Sequence, residues 1–174
     1  MTKGYYYDDP RSKTKIPTTA RILASSHATS GRFVGRSLDI IRKQIPLNDD
    51  LMRAFHLLVI VREEDKSSES KTFKINRADY DFVKSFYSYI ETIPVEVPKN
   101  LDKKIFELTE NMKKESKNYT RSVDSHIVVG MIRLAKANAR LRLKKEIGEE
   151  DLDEAFSLIH DCLTFEKKDK IQNG

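Results

Sequence analysis

The sequence contains few side chains suited to covalent chemistry. His160, Asp161 and Cys162 are consecutive residues in a helical pattern, so their side chains point in different directions and do not form a nucleophilic site. Cys162 is the single cysteine, which excludes an intrachain disulfide and a cysteine-based zinc site. The HExxH and GxSxG patterns are absent as well. No hydrolase or metal site is therefore predicted.

The residues that normally bind nucleotide phosphates are also missing. No GxxxxGK[ST] segment occurs, so the sequence lacks a phosphate-binding loop and its lysine. Asp8 and Asp9 do not end an apolar strand, as a paired acidic Mg²⁺ site would require, because they follow tyrosines and precede a proline. The sequence predicts that this chain alone neither hydrolyses ATP nor binds it tightly.

The most distinctive chemical feature of the chain is its positive charge. The net charge is +5, and residues 1–44 contain nine basic but only three acidic residues. Such groups bind DNA phosphates without reading the bases. The candidate DNA-binding residues are Arg32, Arg36, Arg42, Lys43, Arg140 and Arg142. The alternative is that these charges only solvate the surface or pair with the many acidic residues of the chain.

Length and hydropathy restrict the class of protein. A chain of 174 residues forms one or two small domains with a real core. No run of about eighteen apolar residues and no signal sequence after Met1 are present. We expect an intracellular protein without a membrane partner, cytoplasmic if the source is prokaryotic and nuclear if it is eukaryotic.

The elements that must position these residues are mainly helices. Apolar residues recur at helical spacing in the first half of the stretch 123–155, at Ile127, Val128, Met131, Ile132, Leu134, Ala135 and Ala139. Asp124 or Ser125 is the expected N-cap, and Gly148 ends the pattern. A second helix follows and is expected to bury Leu152, Ala155, Phe156, Ile159 and Leu163. A histone-like module is an alternative with the same outline.

Residues 132–155 read IRLAKANARLRLKKEIGEEDLDEA. This stretch resembles, without a gap, the lid at the C-terminal end of the AAA+ domain in minichromosome maintenance (MCM) replicative helicases, approximately IRLAEAHARMRLSEEVTEEDVEEA. Residues 16–36 and 45–62 resemble the sensor-1 and arginine-finger segments of the same family. The resemblance implies a partial AAA+ domain that is predominantly helical: an α/β remnant plus an α-helical lid.

The expected organisation has five parts: a basic, Tyr-rich flexible N-terminus (1–15), a partial AAA+ core (16–62), a linker (63–74), a helical lid (75–165) and a flexible tail (166–174). Within the core, residues 20–25 and 57–61 are apolar runs typical of buried strands. We expect two or three strands packed against helices. Residues 76–93 predict a helix whose aromatic stripe packs in the core.

The positions that bind a neighbour's ATP in the family are altered here. The sensor-1 asparagine corresponds to His27, the arginine finger to Ala54 and the sensor-2 arginine to His126. Arg53 lies one residue before the finger position, and one residue turns a helical side chain by roughly 100°. The finger is therefore interpreted as lost unless Arg53 replaces it.

A scaffold without its catalytic residues favours a binding role. We expect a non-catalytic MCM-like AAA+ fragment in DNA replication that interacts with an MCM-type helicase or another replisome protein and binds DNA weakly, without sequence preference. The alternative is the C-terminal part of an active ATP-dependent DNA helicase that needs Walker motifs from another chain. No cofactor is expected, except ATP and Mg²⁺ if another chain completes the site. An oligomer is possible in either case.

Overall fold

Helices form most of the described chain. The computed structural model describes residues 22–35, 37–61 and 76–164, together with the backbone of residues 4–6 and 16–18. In these ranges the helices are α1 (Leu38–Gln44), α2 (Asp49–Ala54), α3 (Arg77–Glu91), α4 (Asp102–Glu115), α5 (Ser125–Leu141) and α6 (Glu149–Leu163). Short 3₁₀ turns, Lys99–Leu101 and Ser116–Asn118, flank α4. The prediction of a predominantly helical structure is confirmed.

Three helices begin at an Asn or Asp cap. The Asn48 side chain accepts the N–H of Leu51 at the start of α2, at 2.8 Å. Asn76 caps α3 in the same way. At α5 the Asp124 carboxylate accepts two backbone N–H groups, which makes Asp124 rather than Ser125 the cap. A side-chain oxygen here satisfies N–H groups that have no partner inside the helix.

The core lies mainly between α5 and α6. Its α5 side contains the small residues Ala135 and Ala139, which allow close approach of α6. Leu152, Ala155, Ile159 and Leu163 are buried from α6 as predicted, whereas Phe156 is only half-buried at the edge of the cluster. Tyr119, Met112, Leu101 and Val95 close the core from the other elements. Apolar periodicity therefore located the principal packing face.

The turn between α5 and α6 is held by hydrogen bonds and charge. Leu143 has a left-handed backbone, with φ 57°, where glycine is the usual residue. The Lys144 N–H donates to Ala139 O and the Leu143 N–H to Arg140 O, which satisfies the last carbonyls of α5. The fully buried Asp151 accepts the Gly148 N–H at 2.8 Å and pairs with Arg142 and Lys144.

Extended segments fasten the helices together. Val95–Val97 lies beside the turn that precedes α6, where Glu96 N–H donates to Lys145 O and Ile147 N–H donates to Glu96 O. These hydrogen bonds hold the stretch between Pro94 and Pro98 in an extended conformation. Thr120 N–H donates to Leu163 O at 2.8 Å, which fixes the segment before α5 against the end of α6.

The two predicted buried strands are absent from the residues described. Residues 22–25 and 57–61 have no regular structure, and Leu23 and Val61 are exposed. Ala20 and Arg21 lie outside the described residues. The strand pair that does form joins Gly4–Tyr6 (β1) to Ile16–Thr18 (β2), antiparallel, partly within the segment expected to be flexible. A buried strand needs neighbouring strands, and the described residues provide none at these two positions, although Leu57 packs at the edge of the core.

The aromatic stripe of α3 was also predicted wrongly. The helix forms as expected, but Tyr80, Phe82 and Tyr87 are 61%, 70% and 54% exposed. Ile90 is the buried residue of this helix, and Phe86 is half-buried. The periodicity predicted an apolar face correctly, but it contains no information about what covers that face. The predicted linker, 63–74, and tail, 166–174, lie outside the described residues.

Candidate functional site

The three family positions lie on the surface. His27 is exposed in an irregular segment, Ala54 is the exposed last residue of α2, and His126 is exposed in the first turn of α5. The His126 backbone N–H donates to Asp124, so its position is set by the cap of α5.

These side chains do not fit the ATP and Mg²⁺ that the family resemblance implies. A finger or sensor acts by holding a fixed cation against developing phosphate charge. The methyl group of Ala54 has no charge, and a histidine lacks the permanent, two-pronged donor set of a guanidinium.

Arg121 connects the region before residue 62 to the lid. Its guanidinium is buried, and Nη1 donates to the carbonyl of Met52 and, at 2.6 Å, to that of Phe55. Nη2 lies 3.8 Å from the carboxylate of Asp124. Burial lowers the pKa of Arg121; Asp124 opposes this effect and Arg53 adds to it. A residue outside the family positions thus orients α2 against α5.

A second contact joins the same two regions. His56 Nε2 lies 3.0 Å from Arg133 Nη1, and the His56 ring packs on Gly130 in the middle of α5. Burial, followed by the charges of Arg133, Arg121 and His126, lowers the pKa of His56. A neutral imidazole with Nε2 as acceptor therefore fits this site. A side chain at position 130 would meet the ring, since an added Cβ lies 2.9 Å from His56 Cδ2.

Three of the candidate DNA-binding residues, Arg42, Arg140 and Arg142, have partners within the chain, whereas Arg32 and Lys43 are exposed. Arg140 Nε donates to Ile93 O at 3.0 Å, and Arg142 pairs with Asp151 and Glu154, so both have intramolecular partners. Arg42 donates to the Tyr119 carbonyl and lies 3.6 Å from Asp39. Arg32 and Lys43 are exposed, and Arg36 lies outside the described residues.

Arg53 is exposed on the last turn of α2. Arg121 and the contact of His56 with Arg133 were not found from the sequence. Each joins residues more than sixty positions apart, and a short polar segment between two helices gives no signal that its arginine is buried. The junction between the α2 region and the lid is therefore visible only in the structure, because neither apolar periodicity nor a sequence motif predicts it.

The described residues contain neither a metal-binding cluster nor a membrane-spanning helix. No group of three or more His, Cys, Asp or Glu residues there is arranged to bind a metal ion. None of the helices described is long and apolar enough to cross a membrane.

The lid defined by this geometry matches a known family. Residues 81–163 match the MCM AAA-lid domain, a range that begins inside α3 and ends with the last residue of α6. No curated protein matches the chain. The matched range contains α4, α5, α6 and the turn held by Asp151. Residues 81–163, slightly less than half of the chain, are therefore similar to the MCM AAA-lid domain.

Proposed function

We propose that this chain acts in DNA replication as a non-catalytic MCM lid module that docks on an MCM-type helicase or another replisome protein. The observation that supports this role most directly is the pairing of an intact lid with altered catalytic positions. The core of α5 and α6 and the Arg121 junction are well packed, whereas Ala54 and His126 replace the two arginines. A packed lid that lacks the catalytic arginines favours a role in binding over a role in ATP hydrolysis.

Docking is tested with purified components. The chain is mixed with an MCM AAA+ domain and analysed by size-exclusion chromatography and by pull-down at about 150 mM salt. A stable shared peak supports the proposal. Asp151→Asn, which loosens the turn between α5 and α6, should weaken the complex, while Lys103→Gln, on an exposed side chain of α4, should leave it unchanged. Separate elution at micromolar concentrations of both proteins would contradict docking.

The alternative function is the C-terminal part of an active helicase. Arg53 favours this alternative, because it lies one residue from the finger position and is exposed. The two functions differ when the missing half of an AAA+ domain is supplied as a second chain. Phosphate release by the unmodified pair would support the helicase. Phosphate release only after Ala54→Arg and His126→Arg would support the non-catalytic module.

A weak DNA contact is the second component of the proposal. Arg32 and Lys43 are exposed cations without a base-reading motif, so binding should depend on phosphate neutralisation. If three to five phosphates are neutralised, a fourfold rise in salt should weaken binding by about 40- to 500-fold.

Fluorescence anisotropy with single- and double-stranded DNA at two salt concentrations measures this contact. Arg32→Glu combined with Lys43→Glu should remove most of the binding, and Lys103→Glu, on the exposed surface of α4, is the matched control. Equal binding by all three proteins, or no binding at low salt, would remove DNA from the function.

A further inference from the structure

An open pocket of about 580 Å³ lies where α1 and α2 meet the end of α4 and the segment before α5. Neither the docking role nor the family positions account for it, since His27, Ala54 and His126 do not line it. Its charged lining residues are Arg42, Asp49, Arg53, Lys113, Lys117 and Arg121. Five cations therefore face one carboxylate.

Intramolecular ion pairs neutralise only part of this charge. Arg42, Lys113 and Arg121 each have one acidic partner, Asp39, Glu110 and Asp124 respectively. Arg53 and Lys117 have no acidic group within 4 Å among the residues that the structure describes. The pocket thus keeps an excess of positive charge, and Arg53 lies close enough to disfavour the charged form of Arg121.

Buried donors at the same pocket lack partners. Thr120 is 3% exposed and its hydroxyl has no hydrogen-bond partner among the described residues. The Nε and Nη2 groups of the buried Arg121 also lack a hydrogen bond there. Buried polar groups are normally satisfied, and those that are not are costly. An anion in the pocket would reduce the repulsion between Arg53 and Arg121, two of the residues that line it.

The donor set is best suited to a phosphate. Guanidinium groups bind phosphate oxygens in pairs, ammonium groups supply point charge, and a hydroxyl supplies a further donor. The volume exceeds that of a single phosphate and lies in the range of small-molecule sites. We propose that this pocket binds a phosphate group, either as a small phosphate monoester or as part of a nucleic-acid backbone.

Isothermal titration with three probes tests the proposal: inorganic phosphate, thymidine 5′-monophosphate and an oligothymidine without terminal phosphates, each compared with chloride at equal ionic strength. We expect saturable binding of phosphate and of the monophosphate. Arg53→Glu and Lys117→Glu should each weaken it by about tenfold or more, because each reverses an unpaired charge at the pocket. Lys114→Glu, on the neighbouring exposed residue outside the lining, is the matched control.

Both test residues are exposed, so the variants should remain folded, which thermal unfolding checks. Arg53→Gln and Lys117→Gln, with smaller losses than the reversals, give a second measurement that does not introduce negative charge. Loss of oligothymidine binding in the same variants would identify a nucleic-acid backbone as the source of the phosphate. Selective loss of the monophosphate would identify a small ester.

Absence of saturable phosphate binding, or equal weakening by Lys114→Glu, would overturn the proposal. A chain that still forms a complex with an MCM AAA+ domain but binds no phosphate would overturn the pocket alone and leave the docking role intact.

Discussion

The guanidinium of Arg121 donates a hydrogen bond of 2.6 Å to the backbone carbonyl of Phe55, sixty-six residues earlier in the chain. The same nitrogen also donates to the carbonyl of Met52. Both carbonyls lie at the end of α2, where the helix leaves its last carbonyl groups without internal partners. Arg121, a residue of the lid, therefore supplies hydrogen-bond donors to the end of α2, a helix that precedes the lid.

Replacing Arg121 should separate these two parts. Arg121→Met removes both hydrogen bonds but also removes a buried charge, so we expect a loss of about 2 kcal/mol in the free energy of unfolding. Hydrogen exchange should increase selectively at residues 49–56. Urea unfolding measures the loss, and Arg53→Met on exposed α2 is the control, with a change below about 0.5 kcal/mol. Similar losses in both variants would contradict the role of Arg121.

Gly130 allows His56 to pack on α5, so a methyl group there should be unfavourable. Gly130→Ala should destabilise the parent chain by about 1 kcal/mol, since the overlap with the ring exceeds the gain in helix propensity. In a His56→Ala background, which removes the ring but keeps a Cβ 3.1 Å from the added methyl group, the same change should be close to neutral. A double-mutant cycle by urea unfolding measures the difference. Equal effects in both backgrounds would show that the contact does not limit position 130.

Leu143 occupies a backbone conformation that favours glycine. Leu143→Gly should stabilise the chain by about 0.5–1 kcal/mol, because relief of the left-handed conformation exceeds the added entropy of the unfolded chain. The Leu143 side chain is 54% exposed, so little packing is lost. Leu143→Ala retains the strain and serves as the control. Thermal unfolding measures both, and a lower midpoint for the glycine variant would contradict this account.

Asp151 should make the lid sensitive to acid. Burial raises the pKa of its carboxyl, but the Gly148 N–H, Arg142 and Lys144 together outweigh burial and hold that pKa below 3.8. Its contribution to stability is present above about pH 3.8 and is lost as the pH falls through the folded-state pKa. Asp151→Asn should cost about 2–3 kcal/mol at pH 7 and less at pH 3, which is below the unfolded-state pKa. Urea unfolding at the two pH values measures this, and a pH-independent cost would contradict it.

His56 should contribute in a different pH window. Its pKa is lowered below 6.5, first by burial and then by Arg133, so the folded chain disfavours the protonated ring. Its contribution is present above about pH 6.5 and is lost as the pH falls through the lowered pKa. His56→Gln should flatten the fall in stability between pH 7 and pH 5. A parent chain equally stable at both values would contradict the lowered pKa.

Much of the lid follows from local sequence. Asp124 satisfies free N–H groups at the start of α5, and the helical spacing of Ile127, Met131 and Ala135 creates a face that must be covered. Both effects act within one or two helical turns, which is the range that a sequence pattern encodes. The helices, their main packing face and the family resemblance were therefore predictable.

Contacts between distant segments were decided only by the tertiary structure. The apolar run at 57–61 predicted a strand, but a strand forms only where a neighbour supplies its hydrogen bonds. The aromatic residues of α3 predicted burial, but their exposure depends on which element covers them. Arg121 gave no local signal, because its role depends on carbonyls that folding brings near it. Local periodicity determines which surfaces a segment offers, whereas the partner of each surface is set by chain segments far away in sequence.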